Sequence, residues 1–162
     1  MDVITLYECH QYQPEAQRLF NAYQAKLRPL FPSATIEHVG SSAIDGAISK
    51  GNVDIFLGVP KHQLETAIEL VAANDFTIKT DTLRSDELCM LQSNQDQQVA
   101  VLLVANDSKF EFFLHFRDQL NRSPDLVAQY NQVKRNSTSP SERYYYTQKS
   151  LFIVNVLDSE PS

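Results

Sequence analysis

Tryptophan is absent from this 162-residue chain, cysteine and methionine occur twice each, and only four glycines are present. Cys9 and Cys89 stand far apart with no CxxC or Cys/His spacing, which sets aside a structural zinc site. Both are read as reduced thiols, Cys89 as a buried one. The chain has no run of eighteen consecutive apolar residues and no basic segment followed by an apolar stretch at its start. Neither membrane spanning nor secretion is therefore indicated, and a cytoplasmic location is expected. Positive charge is also short: 14 Lys and Arg face 20 Asp and Glu, for a net charge of -6. Broad attraction to a nucleic-acid backbone needs Lys and Arg to neutralise phosphates, so it is not expected, although a local basic pocket is compatible with these totals.

No internal repeat, low-complexity tract or Gly/Ser-rich linker divides the sequence, so residues 1–162 are read as a single domain. A chain of this size buries roughly 70% of the surface that its unfolded form exposes. With 43% hydrophobic and 21% charged residues, it has the composition of a folded enzyme or binding domain.

After an extended start at Val3 to Tyr7, Pro14 opens a stretch with Leu19, Phe20, Tyr23 and Leu27 at one-face helical spacing, closed by Pro29 and Pro32. Ala34 to Val39 and Val53 to Val59 read as strands around a loop, Gly40 to Gly51, that holds three of the four glycines. Leu64, Ala67, Ile68 and Val71 give a helix that packs on a sheet. Strands are expected at Phe76 to Leu83, Leu88 to Gln92 and Val99 to Val104, the last two joined by the polar turn Ser93 to Gln97. The remainder is helical: Ser123-Pro124 and Ser139-Pro140 each pair a capping hydroxyl with a proline suited to a first helical position. Strands first and helices last predict an α+β fold, a mixed β-sheet with helices packed on one side and a C-terminal helical segment.

The informative stretch is EHVGSSAIDGAISKGNVDIFLGV, Glu37 to Val59. It places a carboxylate, Asp54, inside an apolar strand, where an ionised group must face a cation, hydrogen-bond donors or a water-filled cleft. Strand alternation puts Asn52, Asp54 and Phe56 on one face and Val53, Ile55 and Leu57 on the other. Glycine and serine near a sheet edge let backbone N–H and hydroxyl groups approach a triphosphate, while carboxylates on the next strand hold Mg²⁺ against it. The same residues also fit a capped turn whose backbone N–H groups bond Asp54. His38 is read as a satisfied structural histidine, and Arg117 and Asp118 as either a cleft mouth or solvated surface pairs. Phe110, Phe112, Phe113 and Phe116 suit a core or a homodimer face. At least one of Tyr144, Tyr145 and Tyr146 must be exposed or line a cleft, where it could stack on a base.

Gly-Ser followed by Asp-x-Asp is the signature of the DNA polymerase beta superfamily of nucleotidyltransferases, and Gly40-Ser41 with Asn52-Val53-Asp54 resembles it in part. The closer resemblance is to the GrpB family within that superfamily, whose pattern is HxGSTAxPGLxxKPxxDI, then FRDxLR, a proline, a tyrosine, LK and a final Y…K…F segment. This chain offers His38 to Ile44, Asp45-Gly46, Lys50, Asp54-Ile55, Phe116 to Leu120, Pro124, Tyr130, Val133-Lys134, and Tyr146 with Lys149 and Phe152. It departs from the pattern at Asp45, which replaces a proline, and at Ser42, which replaces a threonine. Asn52 stands where active superfamily members place a carboxylate, and Val99 to Val104 lacks any polar residue where they carry a third.

The resemblance implies a nucleotidyltransferase-like fold in which Gly40, Ser41 and Ser42 meet phosphates, assisted by Lys50, Arg84, Arg117, Lys134 and Lys149. Asp54 and Asn52 would be catalytic and would hold Mg²⁺ or Mn²⁺ together with Glu87, with Asp81 a further candidate. The implied ligand is a nucleoside triphosphate, whose nucleoside monophosphate would pass to a hydroxyl or phosphate acceptor. A non-catalytic nucleotide- or coenzyme-binding module and a folding or interaction accessory protein are the alternatives, the coenzyme suggested by GrpB-like domains joined to dephospho-coenzyme A kinase.

Overall fold

A computed structural model describes residues 5–136, 152, 156 and 157. A five-stranded sheet is built from β1 (Thr35–Val39), β2 (Val53–Val59), β3 (Phe76–Ile78), β4 (Leu88–Ser93) and β5 (Val99–Ala105). Its spatial order is β1-β2-β5-β4-β3. β2 and β5 run parallel, and the other neighbours are antiparallel. The mixed sheet follows from connectivity, because the excursion through α2 (Leu64–Ala72), β3 and β4 returns the chain to β2 in the same direction.

Alternation divides the sheet into two faces. Val53, Ile55, Leu57 and Val59 join Val101 and Leu103 beneath α1 (Cys9–Leu27) and α2, whose Leu19, Phe20, Tyr23, Leu64, Ile68 and Val71 are buried in the same cluster. This is the main core, and the buried thiol of Cys89 belongs to it. The opposite face carries Val39, Phe56, Leu88, Leu102 and Val104, met by Phe110 and by the start of α3 (Phe112–Asn121). A third cluster joins Ile44 and Ala47 of the glycine-rich loop to Phe116, Leu120, Val127 and Tyr130 of α3 and α4 (Pro124–Asn136). The four phenylalanines thus divide between two clusters, with Phe110 and Phe116 buried and Phe112 and Phe113 partly so.

Two boundaries differ from the sequence reading. α1 begins at Cys9, ahead of Pro14, because Glu8 and Gln11 cap it reciprocally and nucleate the helix earlier. Pro14 lies inside it and forgoes one backbone bond. β3 ends at Ile78 instead of Leu83, since this edge strand has no partner surface further on: Ile78 is 39% and Leu83 60% exposed. The turn between β4 and β5 has its own device, the Ser93 hydroxyl, which accepts from the N–H groups of Gln95 and Asp96 at 3.2 Å each. Tyr7 only bridges to Ser49, while Ser139-Pro140, the three adjacent tyrosines and Lys149 lie outside the described residues. No described helix is long and apolar enough to cross a membrane.

Ser123 caps α4 as its sequence suggests, its hydroxyl accepting from Leu126 N–H at 3.3 Å with Pro124 as the first helical residue. Ser123→Ala should cost about 1 kcal/mol, read as a lower urea midpoint at unchanged slope.

Candidate functional site

β1 ends at Gly40, whose φ of 77° and ψ of -176° belong to a region open to glycine alone. A single helical turn, Ser41–Ala43, follows. Val39 pairs with Asp54 across β1 and β2, so the Asp54 carboxylate comes up beneath the turn. A Cβ at Gly40 would sit 2.5 Å from Asp54 Oδ2 and 3.3 Å from its Cβ. Glycine is therefore required twice at this position, by the backbone angle and by the carboxylate packed against it.

The loop beyond the turn meets only some of its backbone groups with backbone bonds, such as Ala47 N–H to Ile44 O, and side chains from three helices meet others. Tyr12 of α1 donates to the carbonyls of Ala47 at 2.6 Å and Ser41 at 3.3 Å, and burial raises its phenol well above the ordinary tyrosine range. Gln13 donates to Ile44 O at 2.9 Å. Asn121 of α3 accepts from Asp45 N–H and donates to Ala43 O. Asn131 of α4 accepts from Ile48 N–H at 2.9 Å and donates to Gly46 O at 2.8 Å.

Lys134 completes this set. Its side chain is wholly buried, and its ammonium donates to the Ser41 hydroxyl and to Ile48 O, the latter at 2.5 Å, while lying 4.2 Å from the Tyr130 ring centroid. Tyr130 OH lies 3.4 Å from the Ser41 hydroxyl. A buried cation is tolerable only when paired and hydrogen-bonded, and here the turn supplies the acceptors.

The other residues singled out by sequence are distributed around this turn. Ser42 points away from Ser41: its hydroxyl bonds His38 Nε2 at 2.7 Å, and His38 stacks on Phe20 with centroids 5.0 Å apart. Burial, then the nearby Arg117 guanidinium, pushes His38 down to about 4. Arg117 donates to His38 O at 2.9 Å and pairs with Glu37 at 2.8 Å and Asp118 at 2.8 Å. Burial opposes its charge, but the bonds to Asp118 and Glu37 prevail and hold its pKa above the ordinary value. Arg117, His38 and Ser42 line a cleft of about 720 Å³ between α1 and the outer edge of β1. Lys50 lines a separate recess of about 290 Å³ against α1.

Three expected ligands fall elsewhere. Glu87 accepts from Ala105 N–H at the end of β5 that pairs with Val59, the opposite end of β2 from Asp54, so it cannot share a metal with that carboxylate. Arg84 pairs with Glu65 of α2 at 3.1 Å, over the other face of the sheet. Asp81 is exposed in the segment between β3 and β4, beside the strand farthest from β1. Asn52 lies just ahead of β2 and is exposed. Across the sheet from Asp54 stands Ala100, and beyond it Gln92, so this row contains one carboxylate. Among the described residues no group of three or more His, Cys, Asp or Glu is placed to hold a metal. Residues so placed do not fit a two-carboxylate Mg²⁺ site, which relies on paired carboxylates to offset dehydration of the ion.

Sequence reasoning underweighted Lys134 and missed Tyr12, Asn121 and Asn131 in the loop. One available signal was that Tyr130, Asn131 and Lys134 recur at helical spacings that bring them to neighbouring positions on α4.

Gly40→Ala should displace Asp54 and the turn together, lowering the urea midpoint by several times the Ser123→Ala effect. His38 gives a pH test. The unfolded imidazole takes up a proton as pH falls through 6.5, whereas the folded one does not until about 4. Stability should therefore fall across that window, by on the order of 3 kcal/mol. Urea titrations at stepped pH should show the slope, and His38→Gln should flatten it.

Comparison with known proteins agrees with this architecture. The GrpB protein family model matches residues 7–159. A UPF0157 protein of Vibrio cholerae is 43% identical over 156 residues, covering 96% of this chain and 83% of that protein. The crystal structure of the conserved protein GrpB from Enterococcus faecalis superposes with a TM-score of 0.74 at 17% identity, covering 95% of this chain and 98% of that one. A mutant of the Cid1 poly(U) polymerase bound to MgATP matches with a TM-score of 0.52 at 14% identity, over 76% of this chain and 40% of its own. At such identities the likeness is one of fold, and that fold is the nucleotidyltransferase fold. With a family match running almost from end to end, and a mixed sheet that delivers a Gly-Ser turn onto Asp54, the chain belongs to the GrpB family.

Proposed function

We propose that this chain binds the phosphate chain of a nucleotide, or of a nucleotide-derived coenzyme, at the Gly40–Ser41 turn without transferring the nucleotide. The supporting observation is the bond from the buried Lys134 ammonium to the Ser41 hydroxyl, which brings a fixed positive charge to a turn whose glycine admits close approach. The nucleotidyltransferase fold, present in a polymerase that holds MgATP, supports a nucleotide as the ligand class. Nucleotide transfer would need more than this turn offers, because in-line phosphoryl chemistry depends on charge neutralisation at both the attacking and leaving oxygens. The row through Asp54 offers a single carboxylate next to Ala100.

Calorimetric titration with ATP, GTP, CTP and UTP tests this directly. Saturable binding of at least one nucleotide, weakened about tenfold by Ser41→Ala, is the expected result, a loss equal to one charge-assisted hydrogen bond. Pyrophosphate release should stay at background with any acceptor. Metal-dependent release of pyrophosphate, abolished by Asp54→Ala, would establish an enzyme instead.

A further inference from the structure

We infer that the phosphate-bearing ligand binds at this turn without a divalent cation, its charge being met through Ser41 by the ammonium of Lys134. The inference rests on the phosphate-binding reading above and specifies how that site works.

The residues around the turn are a poor match for Mg²⁺. A hard, strongly hydrated dication needs several well-placed oxygen ligands with enough negative charge to offset its lost water. Asp54 is the one carboxylate in its row, flanked by Val39 on β1 and Ala100 on β5. Asn52 brings no charge, and Glu87 belongs to the far end of the sheet. A ligand's phosphates would thus lack the metal that normally screens them from a nearby carboxylate, so the positive charge must come from the protein.

Lys134 supplies it from within. Its stem emerges from α4, which is tied to the loop a second time by Asn131 on Ile48 N–H and Gly46 O, so the ammonium cannot drift from the turn. By donating to Ser41 Oγ it uses the hydroxyl as an acceptor, so the Ser41 O–H is a donor that an anion would take over from the long 3.4 Å contact with the Tyr130 hydroxyl. Ser41, itself buried at 9% exposure, carries the hydroxyl through which that charge would be passed to a ligand at the turn. In a low-dielectric surrounding, a fixed charge acts at one hydroxyl's remove far more strongly than a solvated surface lysine. Asp54, packed against Gly40, acts in the opposite sense and repels an incoming phosphate that carries no metal.

The two kinds of site predict opposite signs at Asp54. Where a carboxylate holds a metal, neutralising it weakens the ligand; where the anion meets the protein directly, neutralising it strengthens the ligand. Inorganic tripolyphosphate is the probe, titrated calorimetrically into the full chain in EDTA and again in excess Mg²⁺. We expect binding in EDTA, undiminished relative to Mg²⁺. Asp54→Asn should tighten it about threefold or more, while Ser41→Ala and Lys134→Met should each weaken it about tenfold or more. Ser41→Ala leaves Lys134 in place and so keeps the test informative if Lys134→Met does not fold, each variant being checked by circular dichroism. Binding that requires Mg²⁺ and is lost in Asp54→Asn would overturn the metal-free inference and leave the phosphate site standing. Absence of binding by tripolyphosphate and by every nucleotide, with and without metal, would remove the phosphate site itself and this inference with it.

Discussion

One buried ammonium holds the glycine-rich loop of this molecule to helix α4. Lys134 cannot remain inside the protein unless Ser41 and Ile48 present oxygen to it, and the loop between those residues has no regular partner strand to fix it. Each solves the other's problem. The cost of burying the lysine is offset by acceptors that the loop would otherwise leave unmatched, and the loop gains a fixed shape. Removing either side would leave a desolvated polar group, which is why such an arrangement is cooperative and not a sum of separate bonds.

The same logic explains why amide and phenol side chains collect around residues 41–48. Most of this loop is buried between helices, with Asp45 and Gly46 exposed, so its enclosed carbonyls and N–H groups must find protein partners. Tyr12 and Gln13 arrive from α1, and Asn121 and Asn131 from the consecutive helices α3 and α4 far along the chain, and together they hold the glycine-rich stretch in place. Gly40 is the exception that proves useful, because its missing side chain is what allows Asp54 to approach.

Much of the fold was legible in the sequence because it rests on local regularities. The period of Leu64, Ala67, Ile68 and Val71, the alternation in Val53 to Val59 and the Ser123-Pro124 cap are each complete within a few residues. The placement of Gly40, Ser41 and Asp54 together was legible too, as consecutive strands in a chain usually lie side by side. Glu87 and Arg84 were misplaced because strand order and direction in a sheet are not local properties: β4 runs antiparallel to β5, which puts the β3–β4 connection at the Val59 end of β2, away from Asp54. Lys134 lacked a decisive local signal, since a lysine in the last turns of a polar helix reads as solvated surface, and only the meeting of α4 with the loop shows it to be enclosed. Pro14 misled in the other direction, since proline marks helix starts well but does not forbid an earlier start when capping is strong.

β1 forms one border of the sheet, and such a border is a template on which another extended chain can lay itself. The bond from Arg117 to His38 O shows that His38 turns its backbone outward, and by the alternation of an antiparallel pair Ile36 does the same. By occupying the His38 carbonyl, the Arg117 guanidinium interrupts the short row of groups that would guide a foreign strand into register. Glu37 and Asp118, gathered by the same guanidinium, add charge where such a strand would settle. A single side chain from α3 thus serves as a guard against edge-to-edge association, a form of protection against aggregation that involves no ligand at all.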